Sequence, residues 1–292
     1  MKSFFYKIIA IVLTLSCLSG CAFNDNSQSE NSAAVSSTAD EELVKVNFLN
    51  VGKADCIAIE IKDKLVMIDT GTAESYEIVE KYMTLKGYAK IDKMIITHFD
   101  KDHVGGASYL IDNYEIGEVM TTFYEAKESS EIDAYHESLD KKSIEPTLVS
   151  EETSFQIDDV SFTVYPPMET DYGNNTSNDS SLVTYMTYDE TSFLFTGDAE
   201  KARIKEILEI PGIQADVIKI PHHGKIEKNT DSLLEYINPS YAVITSSDDE
   251  PEDEELMDLL EERNIITYLT REGMVSASSN GKELSFSQFV FM

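Results

Sequence analysis

The sequence predicts a four-layer αββα sandwich, two β-sheets packed face to face with helices on both outer sides. Three observations predict it. From residue 43 onward, apolar runs of strand length alternate with segments of helical spacing. The two halves of that stretch share one plan, hairpin strands first and then strands that lead through a ligand-bearing loop into a helix. Of the five histidines, His98, His103, His222 and His223 all sit in loops directly after predicted strands, where ligand-binding groups collect in α/β architectures.

Leu43 to Leu49 alternates as a strand through Val44, Val46 and Phe48. The segment Asn50-Val51-Gly52-Lys53-Ala54-Asp55 then turns the chain. Strands follow at Cys56–Ile61 and Lys64–Ile68, the second ending in Asp69-Thr70-Gly71. Ile78, Val79, Tyr82, Met83 and Leu85 form the apolar stripe of a helix that Gly87 ends. Ile91 to Thr97 is a strand running into His98-Phe99-Asp100-Lys101-Asp102-His103, and Val104 to Asn113 reads as the helix behind that loop. A strand at Ile116–Thr121 and a helix from Ser129 to Lys142 come next. Short strands are expected near Thr147–Val149, Ser154–Ile157 and Val160–Tyr165, then a polar loop from Pro166 to Asn178. Leu182–Tyr188 and Thr191–Thr196 pair around Asp189-Glu190, and Gly197-Asp198-Ala199-Glu200 opens a helix to about Glu209. Ala215–Ile220 is a strand ending in Pro221-His222-His223-Gly224. A helix at Thr230–Tyr236, a strand at Tyr241–Thr245 and a helix from Glu252 to near Arg263 precede closing strands at Ile266–Leu269, Met274–Ser278 and Glu283–Phe289.

The first 42 residues read differently. Lys2 and Lys7 flank the apolar run Ile8–Leu18, too short to span a bilayer, and small residues follow. That is the pattern of a secretory signal peptide over residues 1–20. Its ending, Leu18-Ser19-Gly20-Cys21, resembles a bacterial lipobox, which implies lipidation of Cys21 and an extracytoplasmic protein anchored to the cell membrane. Residues 21–42 are rich in Ser, Asn, Ala and Glu and read as a flexible tether, with the folded domain spanning 43–292. Cys17 leaves with the signal peptide and Cys21 carries lipid, so Cys56 has no intrachain disulfide partner and is expected in the core. The formal charge of −31 becomes −33 once Lys2 and Lys7 are removed, since residues 1–20 hold no acid. Such a surface repels nucleic acid at long range but permits an anionic substrate at a locally basic site. Lys53, Lys101, Lys219, Lys225 and Lys228 lie in or beside the motif loops and could form one.

The spacing in the His98 loop carries chemistry. In an extended loop, positions i and i+2 point the same way, so His98 and Asp100 can grip one ion, while Asp102 and His103 address a second. Gly105 and Gly106 let the following helix pass close to the site. Imidazole with carboxylate suits zinc, manganese or iron. Water shared by two such ions is acidic enough to attack at neutral pH.

His98-x-Asp100-x-Asp102-His103 resembles the His-x-His-x-Asp-His signature of the metallo-β-lactamase fold, with Asp in the second position. Asp69-Thr70-Gly71, Phe195-Thr196-Gly197-Asp198 and Ile220-Pro221-His222-His223-Gly224 are similar to the other landmarks of that fold and occur in its order. Within it the chain looks like the hydrolase domain of ComEC-type competence proteins. Asn50 to Asp55 is similar to their Asp-Val-Gly-Gln-Gly-Asp opening, Asn178-Asp179-Ser180-Ser181-Leu182-Val183 to their Asn-rich strand start, and Thr270-Arg271-Glu272-Gly273 to their Thr-Asp-x-x-Gly turn. The late histidines lack the Ser-rich continuation usual there and read Lys225-Ile226-Glu227-Lys228 instead.

The resemblance implies two divalent ions, Zn or Mn. One would be held by His98, Asp100 and Asp198, the other by Asp102, His103, Asp198 and His223. It implies catalytic roles for Asp102, Asp69 in support, and His222 toward the substrate or the first ion. Many relatives place a further His between the first motif and the bridging Asp. Here only His136 falls in that interval, within a helical pattern, and Asn178, Asp179 and Ser180 occupy the matching region. Substrate contacts are expected from Lys53, Lys101, Asn178, Ser180, Lys219 and Lys225. The implied activity is hydrolysis of a phosphodiester, in DNA or in an envelope polymer, with no obligate protein partner. Alternatives are another metallohydrolase (a lactonase or β-lactamase-like amidase) and a metal-binding surface lipoprotein without catalysis.

Overall fold

The computed structural model describes residues 43–126 and 128–290. The expected signal peptide, the tether and Cys21 lie outside the described residues. The first sheet starts as an antiparallel run of β1 (Val44–Phe48), β2 (Ile57–Ile61) and β3 (Lys64–Ile68). After helix α1 (Tyr76–Lys86), a short β4 (Lys90–Ile91) precedes β5 (Lys93–Ile96), which delivers the His98 loop. The helix expected from Val104 to Asn113 is instead two, α2 (Lys101–Val104) and α3 (Ala107–Asn113), divided at Gly105-Gly106. The strand expected at Ile116–Thr121 is divided too. β6 (Glu115–Ile116) pairs with β4 in a separate ribbon, and β7 (Val119–Thr121) runs parallel to β5. Helix α4 (Ser130–Lys142), capped by the Ser129 hydroxyl, leads to the edge strand β8 (Thr147–Leu148).

The second sheet opens with β9 (Thr153–Ile157) and β10 (Val160–Tyr165). The polar loop after β10 folds locally, ending in α5 (Thr176–Asp179), before β11 (Val183–Tyr188) and β12 (Thr191–Phe195) complete an antiparallel meander. Helix α6 (Lys201–Ile207), β13 (Val217–Lys219), α7 (Thr230–Ile237), β14 (Tyr241–Ile244), α8 (Glu254–Glu262) and β15 (Ile266–Leu269) then extend the sheet in parallel from β12. Finally β16 (Met274–Ser279) and β17 (Leu284–Phe289) return to the first sheet beside β1. The orders are β17-β16-β1-β2-β3-β5-β7-β8 and β15-β14-β13-β12-β11-β10-β9.

The central strands read as continuous apolar runs because both of their faces are covered. Ile57 and Ile59 of β2, Val66 and Ile68 of β3, and Phe193 and Phe195 of β12 fill the space between the sheets. The alternate residues Ala58, Leu65 and Met67 face α1, α3 and α4, while Leu194 faces α6, α7 and α8. Phe48 meets Phe195 across the sandwich with ring centroids 6.2 Å apart. Three apolar layers thus separate four structural layers, and each large side chain withdrawn from water contributes roughly 1.5–3 kcal/mol. Cys56 is buried in the core beneath the first sheet's helices, as its strand pattern predicts. This arrangement brings the carboxyl ends of β3 and β5 from one sheet against those of β12, β13 and β14 from the other. Among the described residues no helix is long and apolar enough to cross a membrane.

Candidate metal centre

The centre is framed by Asp69, which leaves β3 with a left-handed φ of 57°. Its Oδ1 accepts the Thr97 N–H at 2.7 Å, and its Oδ2 accepts the Thr97 hydroxyl at 2.7 Å and His103 Nδ1–H at 2.8 Å. Asp69 therefore locks the end of β5 and the ring of His103 together. Bonding at Nδ1 leaves the Nε2 lone pair of His103 aimed away from Asp69. Gly106 is what permits the approach: a Cβ there would lie 2.3 Å from the Thr70 carbonyl oxygen. The two glycines thus act by contact with the Asp69 loop.

Asp198 enters from β12 through Gly197, whose φ is 52° and whose missing Cβ would lie 2.9 Å from the Ser181 side chain. The Ser181 hydroxyl accepts the Asp198 N–H at 3.1 Å and lies 3.4 Å from His98 Nδ1. Ser181 thereby ties the first histidine to the carboxylate opposite. The loop after β13 supplies His223. Both His222 and His223 adopt left-handed φ values, 49° and 53°, a conformation costing about 1–2 kcal/mol per residue. His223 Nδ1 meets the Thr245 carbonyl at 3.0 Å and its hydroxyl at 3.1 Å, which again leaves Nε2 for the interior of the site.

The three Nε2 atoms of His98, His103 and His223 are buried and have no hydrogen-bond partner. His103 Nε2 lies 3.3 Å from Asp198 Oδ1, and His223 Nε2 lies 3.1 Å from Asp198 Oδ2 and 3.4 Å from Asp102 Oδ2. The donors form two overlapping groups, His98–His103–Asp198 and Asp102–His103–His223. An unpartnered buried polar atom costs about 1–3 kcal/mol, so three gathered at one carboxylate make a site suited to holding a metal ion. Electrostatics agree. Burial and the neighbouring His103 push His98 down to about 4, the behaviour of a neutral ligand. Burial also disfavours a charge on His103, but Asp198 and Asp69 outweigh it and raise its pKa well above the usual value. His223 is raised against burial in the same way, chiefly by Asp198. Burial opposes ionisation of Asp198, yet His223, His103 and Lys219 hold its pKa well below the carboxylate range.

His98, Asp102, His103, Asp198 and His223 are therefore brought together as their motifs suggest, with Asp69 behind them. His103 faces both donor groups, so the expected division of ligands between two ions is less sharp than the loop spacing implies. Asp100 stands at the rim: its Oδ2 is 3.8 Å from His98 Nε2 and its Oδ1 accepts a hydrogen bond from the Ser177 hydroxyl. His222 turns outward from the centre, with Nδ1 3.6 Å from Glu200 and 3.7 Å from Glu227. His136 is paired with Glu125 at 2.9 Å on the surface, in keeping with its helical pattern.

The expected substrate contacts need correction. Lys219 is wholly buried and bonded to Asp55 at 2.5 Å, so it cannot meet a substrate and does not contribute to the locally basic site expected from the loop lysines. It occupies the last position of β13, and the parallel register on both sides encloses it. Ser180 is also buried, its hydroxyl donating to the Ser177 carbonyl. Asn178 is engaged with Glu200 at 2.7 Å and Lys53 pairs with Glu250 at 3.3 Å. Lys101 and Lys225 are exposed.

Three site residues escaped sequence reasoning: Asp55, Thr245 and Ser181. Asp55 is buried, accepts the Thr245 hydroxyl at 2.6 Å and lies 3.5 Å from His223 Nδ1. Its place in the Asn50–Asp55 turn was the available signal. Thr245 had none, because only the alignment of β14 beside β13 carries it to His223.

Comparisons with known proteins bear on the family and the fold. The chain is 27% identical over 224 residues to ComE operon protein 3 of Bacillus subtilis, an alignment covering 69% of this chain and 28% of that protein. It is 26% identical to Recombination protein 2 of Haemophilus influenzae, covering 69% of this chain and 24% of that protein. The chain thus spans about a quarter of the length of these curated relatives. Among solved structures, the metallo-beta-lactamase fold protein YhfI of Bacillus subtilis superposes with a TM-score of 0.51 at 8% identity, covering 84% of this chain and 100% of that one. The family model of the metallo-beta-lactamase superfamily matches residues 49–246, and the chain belongs to that superfamily of metal-dependent hydrolases.

Proposed function

We propose that the protein is a dinuclear phosphodiesterase that works outside the cytoplasmic membrane, held there by a lipid on Cys21. The observation that carries the metal reading is the convergence of the unpartnered Nε2 atoms of His98, His103 and His223 on Asp198. The residues fit divalent Zn or Mn: imidazole nitrogens and carboxylate oxygens at one buried point. His98, His103 and Asp198 would hold one ion, and Asp100 stands 3.8 Å from His98 Nε2. Asp102, His223 and Asp198 would hold the other. Two such ions make water acidic enough to attack at neutral pH and stabilise charge developing on phosphoryl oxygens.

The chain itself supplies rigidity and orientation. Asp69 and Thr245 fix the tautomers of His103 and His223 by taking their Nδ1–H bonds. Ser181 holds the backbone of Asp198. His222, beside His223 but outside the cluster, is an imidazole available to the substrate. No side-chain nucleophile is needed. The similarity to Recombination protein 2 of Haemophilus influenzae favours DNA as a substrate class. The formal charge of −31 favours short or single-stranded segments, or an envelope phosphodiester, over long duplex.

The test is to measure bound metal in the purified protein and assay single-stranded DNA, a bis-aryl phosphodiester and a chromogenic lactam with and without chelator. Chelator-sensitive phosphodiester hydrolysis is expected, reduced at least about a hundred-fold in Asp198→Ala, since even partners outside the ligand set are worth 10–100-fold. Lactam turnover without phosphodiester turnover would redirect the assignment to an amidase. Stoichiometric metal with no turnover would mean a binding protein.

A further inference from the structure

One buried cation in the centre has no part in the chemistry described above. Lys219 Nζ lies 2.5 Å from Asp55 Oδ2, 3.0 Å from the Gly197 carbonyl oxygen and 3.5 Å from Asp198 Oδ1. It is fully enclosed, as is Asp55. An ammonium has three donors and no acceptor, and here all three directions end on oxygen. The farthest belongs to the carboxylate that would be shared by both ions.

We infer that Lys219 is an internal counter-ion competing with metal for Asp198, and that Asp55 is the positioning residue that draws it off. The inference rests on the metal reading of the site. A lysine alone beside Asp198 would neutralise that carboxylate and repel an entering divalent ion. Asp55 holds the ammonium 1 Å nearer to itself than Asp198 does (2.5 against 3.5 Å) and is itself held by the Thr245 hydroxyl at 2.6 Å. Thr245 also orients His223. The three residues therefore link the position of the fixed charge to that of a ligand. The affinity of the centre is set by this balance as well as by its ligand count.

The two partners then have effects of opposite sign. Lys219→Met removes the competitor and leaves an extra buried negative charge, so Zn²⁺ and Mn²⁺ should bind at least roughly ten-fold more tightly. Asp55→Asn leaves Asp198 as the one carboxylate within ion-pair distance of the ammonium among the described residues, so the same ions should bind at least roughly ten-fold more weakly. The double variant should return toward the wild-type value. Dissociation constants measured by competition with a fluorescent chelator read this directly, without any assay of turnover. A pair that only supports the fold would weaken binding in both single variants, and that result overturns the inference. If Lys219→Met does not fold, the other two variants decide. Restoration of affinity when Lys219→Met is added to Asp55→Asn supports competition, and a double variant no better than Asp55→Asn refutes it. Failure of the wild type and every variant to bind either ion would sink the metal reading itself, whereas normal wild-type binding with variants of unchanged affinity would sink only this inference.

Discussion

Asp69 shows how a residue that touches no substrate can govern a centre. Its carboxylate takes three hydrogen bonds, two from Thr97 and one from His103. An amide in its place would present NH₂ to His103 Nδ1 and favour the tautomer with the proton on Nε2, where a metal must bind. Asp69→Asn should weaken metal binding by about 10–100-fold while the fold persists. Equilibrium dialysis against Zn²⁺ or Mn²⁺ checks this, and unchanged affinity would assign Asp69 to the turn alone. At this scale the sequence was legible where residues lie within one motif, as with His98, Asp102 and His103. It was misleading at Lys219, whose position at a strand end looks open until the neighbouring strands β12 and β14 enclose it.

Elements place these residues by close approach of backbone. The division between α2 and α3 falls at Gly105-Gly106, where the chain passes the Asp69 loop. Gly106 N–H donates to the Gly71 carbonyl at 3.2 Å, and Thr70 N–H to the His103 carbonyl at 2.8 Å. A methyl group 2.3 Å from the Thr70 oxygen must separate the two loops. Gly106→Ala should destabilise the protein by about 1–3 kcal/mol, lowering Tm by roughly 2–12 °C for a domain of this size. Calorimetry of the two proteins gives the answer, and an unchanged Tm would show that the loops part freely. The period of the pattern predicted most elements within a few residues. It missed this break because Val104 to Asn113 carries helical spacing straight across the glycines, and it missed α5 because a four-residue helix has no periodicity to read.

For the whole molecule, charge is the dominant global term. The 292-residue chain carries a formal −31, most of it on the folded domain, and such a charge is self-repulsive. Raising NaCl from about 0.05 to about 0.5 M shortens the screening length from roughly 14 to roughly 4 Å. Tm should therefore rise by several degrees. A Tm that stays level or falls would mean that local ion pairs such as Arg271–Glu252, at 3.0 Å, offset the repulsion. The same field disfavours approach of long polyanions.

The sequence by itself determined the layers and the order of the ligand motifs, because period-2 apolar runs, helical stripes and short ligand spacings are properties of neighbouring residues. Only the tertiary structure decided which groups share a point in space. Asp55, Ser181, Lys219 and Thr245 come from four separate segments and meet because the carboxyl ends of β13 and β14 and the amino ends of the antiparallel β2 and β11 lie at one edge of the two sheets. No local pattern encodes that meeting, since the hydrogen bonds that make it, such as Thr245 to Asp55 across 190 residues, exist only once the sheets have packed.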